Sequence, residues 1–349
     1  MADTIRVGLI GAGGNTKLRH IPGLQAQDGV ELAAVANRTR QSGQRVAQEF
    51  GIPRVADDWM EIIEDPDIDA VCIGTWPYMH SAMSIAALEA GKHVLCEARM
   101  ALNAEEAHEM LAASRRHPRQ VAQIVPAPHT LAFDATIAGM IGPGYIGDLI
   151  ALDARIAVGS GFPNAETPLH WRHDRNLSGN NVMSMGIWYE AMMRWVGPAR
   201  SVFAVGQSVV AHRRDDAGRR VAMQIPDHID VVGRLEQGGQ TRFNVSTVLG
   251  HAPAVAEVMI FGTEGTLRLA QAPGGELGLA AGKRGEDGLK PVEIAPEKRG
   301  GWRVEEEFVN AIRGEELVTH TDFQTGVRYM EWTDAVALSY RCGEAVILP

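Results

Sequence analysis

A chain of 349 residues, 45% hydrophobic and 22% charged, is long enough for two domains and too evenly mixed to be fibrous or disordered. Its formal net charge of −10 argues against a nucleic-acid surface, and the lack of a run of about 18 apolar residues argues against a membrane span. Three cysteines, Cys72, Cys96 and Cys342, make no CxxC and no disulfide framework. The opening MADTIRVGLI does not read as a signal peptide, so a cytoplasmic protein is expected.

The first third alternates short apolar runs with helical patterns. IRVGLIGA and VELAAVAN read as strands, and Arg40 to Phe50 as a helix stopped by Gly51. Trp59 to Glu64 is a short helix, IDAVCIGT a third strand, Ser81 to Glu89 a helix and KHVLCE a fourth strand. Ala104 to Arg116 is helical, with Asn103 and Glu106 as a capping pair, and QVAQIVP is a further strand. Apolar strands alternating with helices predict a doubly wound parallel sheet over residues 1–124.

Residues 125–349 change character. LIALDARIAV, SVFAVGQSVV, IDVVGRLEQGGQTRFNVSTVL and VAEVMIFGTEGTLRL are longer and alternating, and Gly238–Gly239 marks a hairpin turn. They predict a second α/β domain with a large open, mostly antiparallel sheet. A helix from about Val182 to Trp195 and two near the C-terminus cover one face. The other face calls for a partner, so a homodimer or homotetramer built through this sheet is expected. Residues 271–302, rich in Gly, Lys, Glu and Pro, read as a surface excursion.

The first strand runs into Gly11-Ala12-Gly13-Gly14-Asn15-Thr16. Gly11 permits the tight turn, Gly13 lets backbone approach a pyrophosphate, and Asn15 and the small Thr16 open the helix whose N–H groups would hold it. The second strand ends in Asn37-Arg38-Thr39, where an NAD site usually carries a carboxylate for the ribose hydroxyl. Asn, Arg and Thr suit a 2′-phosphate, so the cofactor is expected to be NADP(H), with NAD as the alternative.

With GLIGAGGNTKLRHIPGL, GTWPYMH and ALEAGKHVLCEARMALNAEEA in the first domain, and WRHDRNLSGNN, VMSMGIWYEAMMRWVG, IFGTEGTLRL and FVNAIRGEE in the second, the chain resembles the Gfo/Idh/MocA oxidoreductases over nearly its full length. The resemblance implies a Rossmann domain, an open-sheet C-terminal domain, and sugar, polyol or diol dehydrogenase chemistry with NAD or NADP. It also implies cofactor contacts from Thr75, Trp76, His80, Glu97, Ala98, Trp171 and Arg172. The family's Glu-Lys-Pro becomes Glu97-Ala98-Arg99 here, so the lysine that handles the reacting oxygen is an alanine. The family's Asp-x-Gly-x-His becomes Ser184-Met185-Gly186-Ile187-Trp188, and none of the replacements titrates near neutral pH.

Arg99, His129, Tyr189 and Trp188 are therefore the candidates for the catalytic set, with Trp188 as a pocket wall. His170 and His173-Asp174 lie in a loop without a further ligand cluster, so no metal is expected. The leading expectation is an NADP(H)-dependent oxidoreductase acting on an alcohol or carbonyl of a small cyclic, sugar-like or aromatic molecule through a rebuilt acid–base site. The alternatives are a nicotinamide-dependent lyase or hydrolase without net redox, and a non-catalytic dinucleotide-binding protein.

Overall fold

The computed structural model describes residues 4–349. The chain divides into two compact units. One takes the residues up to Pro126 together with Arg303–Met330, and the other takes Ala127–Trp302 and Glu331–Pro349. A single boundary at residue 124 would have given all of the later segment to the C-terminal domain.

The first unit is built on six parallel strands: β1 (Ile5–Ile10), β2 (Val30–Ala36), β3 (Arg54–Ala56), β4 (Ala70–Ile73), β5 (His93–Cys96) and β6 (Ala122–Ile124). Their order is β3-β2-β1-β4-β5-β6. Val7, Leu9, Val35, Val71, Ile73 and Leu95 are buried, as strands covered on both faces require. A π-turn at Thr16–His20 leads into helix α1 (Ile21–Gln25); α2 (Arg40–Phe50), α3 (Met60–Ile63), α4 (His80–Glu89) and α5 (Ala104–Arg116) follow. Asn103 caps α5 by accepting from the Glu106 N–H at 2.9 Å. Glu106 returns its carboxylate to the Leu102 N–H at 3.0 Å, one residue short of the expected reciprocal partner.

The late segment joins this unit through helix α9 (Val304–Arg313), which buries Val304, Phe308 and Val309. The Ile124 N–H donates to Thr321 O at 2.9 Å, and Gln123 Nε2 donates to the Glu307 carboxylate at 3.0 Å. The backbone bond, with an isolated antiparallel bridge between Gln123 and Asp322, covers the edge of β6, an open strand edge being a liability. Helix α10 (Phe323–Cys342) starts in this unit and ends in the other.

In the second unit, helices α6 (Leu131–Ile141), α7 (Arg175–Ser178) and α8 (Met185–Val196) accompany a nine-stranded sheet. The strands are β7 (Leu149–Ile156), β8 (Ala199–Gln207), β11 (His228–Leu235), β12 (Gln240–Ser246), β13 (Ala256–Gly262), β14 (Gly265–Gln271), β15 (Leu277–Lys283), β16 (Lys290–Pro291) and β17 (Val346–Ile347). β9 (His212–Arg214) and β10 (Arg220–Ala222) form a separate hairpin. The order is β16-β15-β14-β13-β7-β12-β11-β8-β17, and every pairing is antiparallel except β7 with β12. Gly238 and Gly239 turn between β11 and β12 with φ of 98° and 83°, a conformation that favours glycine.

The core of this unit gathers around Trp332, which stacks on Tyr189 at 4.0 Å and meets the edge of Phe243 at 5.5 Å. The segment 271–302 is less of an excursion than its composition suggests. β15 pairs with β14 and buries Leu279 and Ala281. Gly278 and Gly282 hide the alternation in the sequence because a glycine shows no hydrophobic side chain to read.

Candidate functional site

The glycine-rich turn after β1 is held from three sides. The Gly11 N–H donates to Ala36 O at 2.8 Å, the Gly13 N–H to Gly11 O at 2.9 Å, and the Ala12 N–H to the Asn37 side-chain oxygen at 2.7 Å. Gly11 has φ of 84°, and a Cβ there would meet Thr75 Cγ2 at 2.6 Å. At Gly74 a Cβ would lie 2.1 Å from Thr16 Oγ1. The turn therefore lies flush on the strand end at Gly74 and Thr75, and only glycine allows that approach. A Cβ at Gly14, by contrast, would meet nothing within 4 Å. That leaves room for a phosphate at the first helical turn, and the residues fit a dinucleotide.

At the end of β2 the three polar residues divide their work. Asn37 spends its oxygen on the glycine turn. Thr39 caps α2, accepting from the Ser42 N–H at 3.3 Å. Arg38 is exposed, and its guanidinium lies 5.4 Å from the centroid of the Trp76 ring. Trp76 follows β4, so an aromatic face from one strand end steadies a cation from another. No local sequence pattern links the two residues.

Around the end of β5 the side chains brace each other. His80 is buried, and burial keeps its pKa below the usual histidine value. Its Nδ1 lies 2.7 Å from Arg99 O and its Nε2 3.1 Å from Thr75 O. A neutral ring has one N–H to give, so it donates to one of these two carbonyls and its ring is held between them. The Ala98–Arg99 peptide bond is cis, and Arg99 is 2% exposed. The Ala98 N–H donates to Glu97 Oε2 at 3.0 Å, while Glu97 Oε1 accepts from the Asn15 amide. His20, fully buried, sits 2.9 Å from Glu97 Oε1 and 2.6 Å from Glu305 Oε1. Neither His20 nor Glu305 was singled out from sequence. His20 lies one turn beyond the glycines, a signal that was available; Glu305 is 285 residues from it and carries none.

In the second unit the structure brings His129 and Trp188 together. Their rings stack at 4.9 Å with an angle of 8°. Trp188 is 2% exposed, and among the described residues its indole N–H has no acceptor. His129 keeps solvent access, and the protein covering it still lowers its pKa through burial. The segment before it is pinned by a buried ionic network. Glu190 Oε2 accepts from the Ala127 N–H at 2.9 Å, Arg194 donates to Ala127 O at 3.2 Å, and Arg194 pairs with both Glu190 and Asp134.

Tyr189 is placed differently from its expected catalytic role. It is buried against Trp332, and its hydroxyl accepts from the Ala199 N–H at 2.8 Å, so it belongs to the core. The helical rotation of about 100° between neighbours turns it away from the face that Trp188 presents to His129. Trp171 and Arg172 form a local pair, with the guanidinium 4.2 Å from the indole centroid. His170 and His173 each use Nδ1 to accept a backbone N–H. No group of three or more His, Cys, Asp or Glu side chains among the described residues is arranged to hold a metal.

Two family models match the chain: an oxidoreductase family with an NAD-binding Rossmann fold over residues 5–124, and a GFO/IDH/MocA C-terminal domain over 135–268. The chain belongs to the Gfo/Idh/MocA oxidoreductase family. Within it, the chain is 33% identical over 184 residues to a 1,5-anhydro-D-fructose reductase of Ensifer adhaerens. That alignment covers 51% of this chain and spans about half of the reductase, 52%. It is 27% identical over 268 residues to a trans-1,2-dihydrobenzene-1,2-diol dehydrogenase of Bos taurus, covering 76% and 72% of the two chains. A levoglucosan dehydrogenase structure in complex with NADH and L-sorbose has the same fold, with a TM-score of 0.88 at 22% identity and 99% of each chain covered.

Proposed function

We propose that this family member is an NADP(H)-dependent oxidoreductase acting on an alcohol or carbonyl carbon of a small cyclic substrate through a non-standard acid–base site. The observation that carries the cofactor choice is the end of β2, where Arg38, supported on Trp76, occupies the place of the usual carboxylate. A guanidinium there attracts a 2′-phosphate that a carboxylate would repel. The relatives named for a cyclic sugar derivative and a cyclic diol support the substrate class. The nicotinamide, when bound, exchanges a hydride with the substrate carbon.

The proton then falls to His129. It is the candidate with solvent access, a neutral ring near pH 7 and a fixed orientation on Trp188. Trp188 orients the imidazole by stacking on it, while its own indole N–H is sealed from solvent. Arg99 is permanently charged and moves no proton. Tyr189 is committed to the core.

The cofactor assignment is tested by titrating the chain with NADPH and NADH, read by tryptophan quenching. Arg38→Ala should weaken NADPH by about 10–100-fold, the worth of a charge-assisted contact, and leave NADH nearly unchanged. Equal losses for both would reject the 2′-phosphate role.

The assembly is also proposed. The sheet face bearing Phe203, Val205 and Val232 also carries the Arg242–Asp153 and Arg268–Glu257 ion pairs. Exposed apolar residues beside charges of both signs suit a second copy of the chain, docked about a two-fold axis. Sedimentation of the purified protein should show a dimer or tetramer, and Phe203→Asp should shift it toward monomer. A wild-type monomer would reject this proposal.

A further inference from the structure

Glu97 places a carboxylate beside the nucleotide crevice. Its side chain is 14% exposed, at the carboxyl edge of the sheet where dinucleotides bind to this architecture. Asn15, from the glycine turn itself, donates to it, and so does the Ala98 N–H. His20 holds it from behind and is shared with Glu305, whose carboxylate packs where a Cβ on Gly23 would have to go. One imidazolium thus serves two carboxylates, and its charge is not spent on Glu97 alone. Hydrogen bonds from His20 and Asn15 then overcome the burial that would otherwise raise the Glu97 pKa, and the group stays ionised.

Oxidised nicotinamide carries a positive ring, and the reduced ring is neutral. A fixed carboxylate at the crevice therefore discriminates between them. We infer that Glu97, held by His20 and Glu305, is a charge-tuning residue that favours the oxidised over the reduced cofactor. This rests on the reading of the chain as a dinucleotide-binding protein, not on the choice of substrate. It differs from a packing role, because a packing defect weakens both redox forms together.

The test is the ratio of dissociation constants for NADP+ and NADPH, measured on the full chain by calorimetry near pH 6, where the imidazole is protonated. Glu97→Gln is isosteric and removes one charge. It should weaken NADP+ relative to NADPH by about tenfold, roughly the worth of one partly screened unit charge. Glu305→Gln, buried and remote from solvent, should move the ratio in the same direction by freeing the imidazolium for Glu97. Loss of affinity for both forms with an unchanged ratio overturns the inference and leaves the cofactor reading intact. Failure of the wild-type chain to bind either form overturns that reading and this inference with it.

Discussion

Replacing His129 by Gln is expected to lower kcat/KM by about 10²–10⁴-fold while leaving NADPH affinity close to wild type. Glutamine keeps a polar side chain of similar reach but cannot take up a proton. The pH dependence fixes the sign. Burial lowers the His129 pKa below the ordinary 6.5, so the ring is neutral and able to act as a base through the physiological range. For alcohol oxidation, kcat/KM should fall as the pH drops through that lowered value, and the Gln variant should lose this limb. Trp188→Phe keeps an aromatic stacking face under the imidazole, so it should cost less than the Gln variant and retain the limb. A Gln variant with the wild-type limb would place the proton on another group.

Removing His20 should have the largest effect on stability. Burial alone would lower its pKa, but hydrogen bonds to Glu305 and Glu97 and their charges raise it from 6.5 to about 9. The folded ring thus binds its proton more tightly than the unfolded one. A difference of this size corresponds to about 3 kcal/mol, at about 1.4 kcal/mol for each pH unit. The contribution is fully present below pH 6.5 and is lost as the pH rises through about 9. Glu97 works in the opposite direction. Its lowered pKa gives stability that is present above 4.5 and lost as the medium turns acid. Urea unfolding of the wild type should therefore weaken between pH 7 and 10, and His20→Asn should be less stable at neutral pH with that slope flattened. An Asn variant with the same alkaline slope would show that another group titrates there.

The fold was legible where the pattern is local. The alternation of apolar runs and helices gave the parallel sheet, and the Asn103–Glu106 pair gave the start of α5, because caps and periods are written within a few residues of each other. The role of Arg303–Met330 in the first unit was not legible. α9 reads as an amphipathic helix, but its period says nothing about which sheet receives it.

The site divides the same way. Gly11, Gly13 and Asn37 lie on a recognisable turn. The motif did not show that Asn37 turns inward to Ala12 while Arg38 turns to Trp76. His129 was a lone histidine in PAPHT until its ring was seen against Trp188, and Tyr189 looked like a candidate until its hydroxyl was found capping Ala199. Each of these outcomes depends on contacts between distant segments, which no window of sequence contains.

The most direct measurement is turnover of wild-type protein with NADP+ or NADPH and a panel of cyclic sugars and diols, followed by nicotinamide absorbance with product analysis. The panel would include 1,5-anhydro-D-fructose, levoglucosan and trans-1,2-dihydrobenzene-1,2-diol. At least one cyclic alcohol or carbonyl compound is expected to change the absorbance mole for mole with product. Product formed without a net change in nicotinamide, or cofactor bound with no turnover of any member, would contradict it.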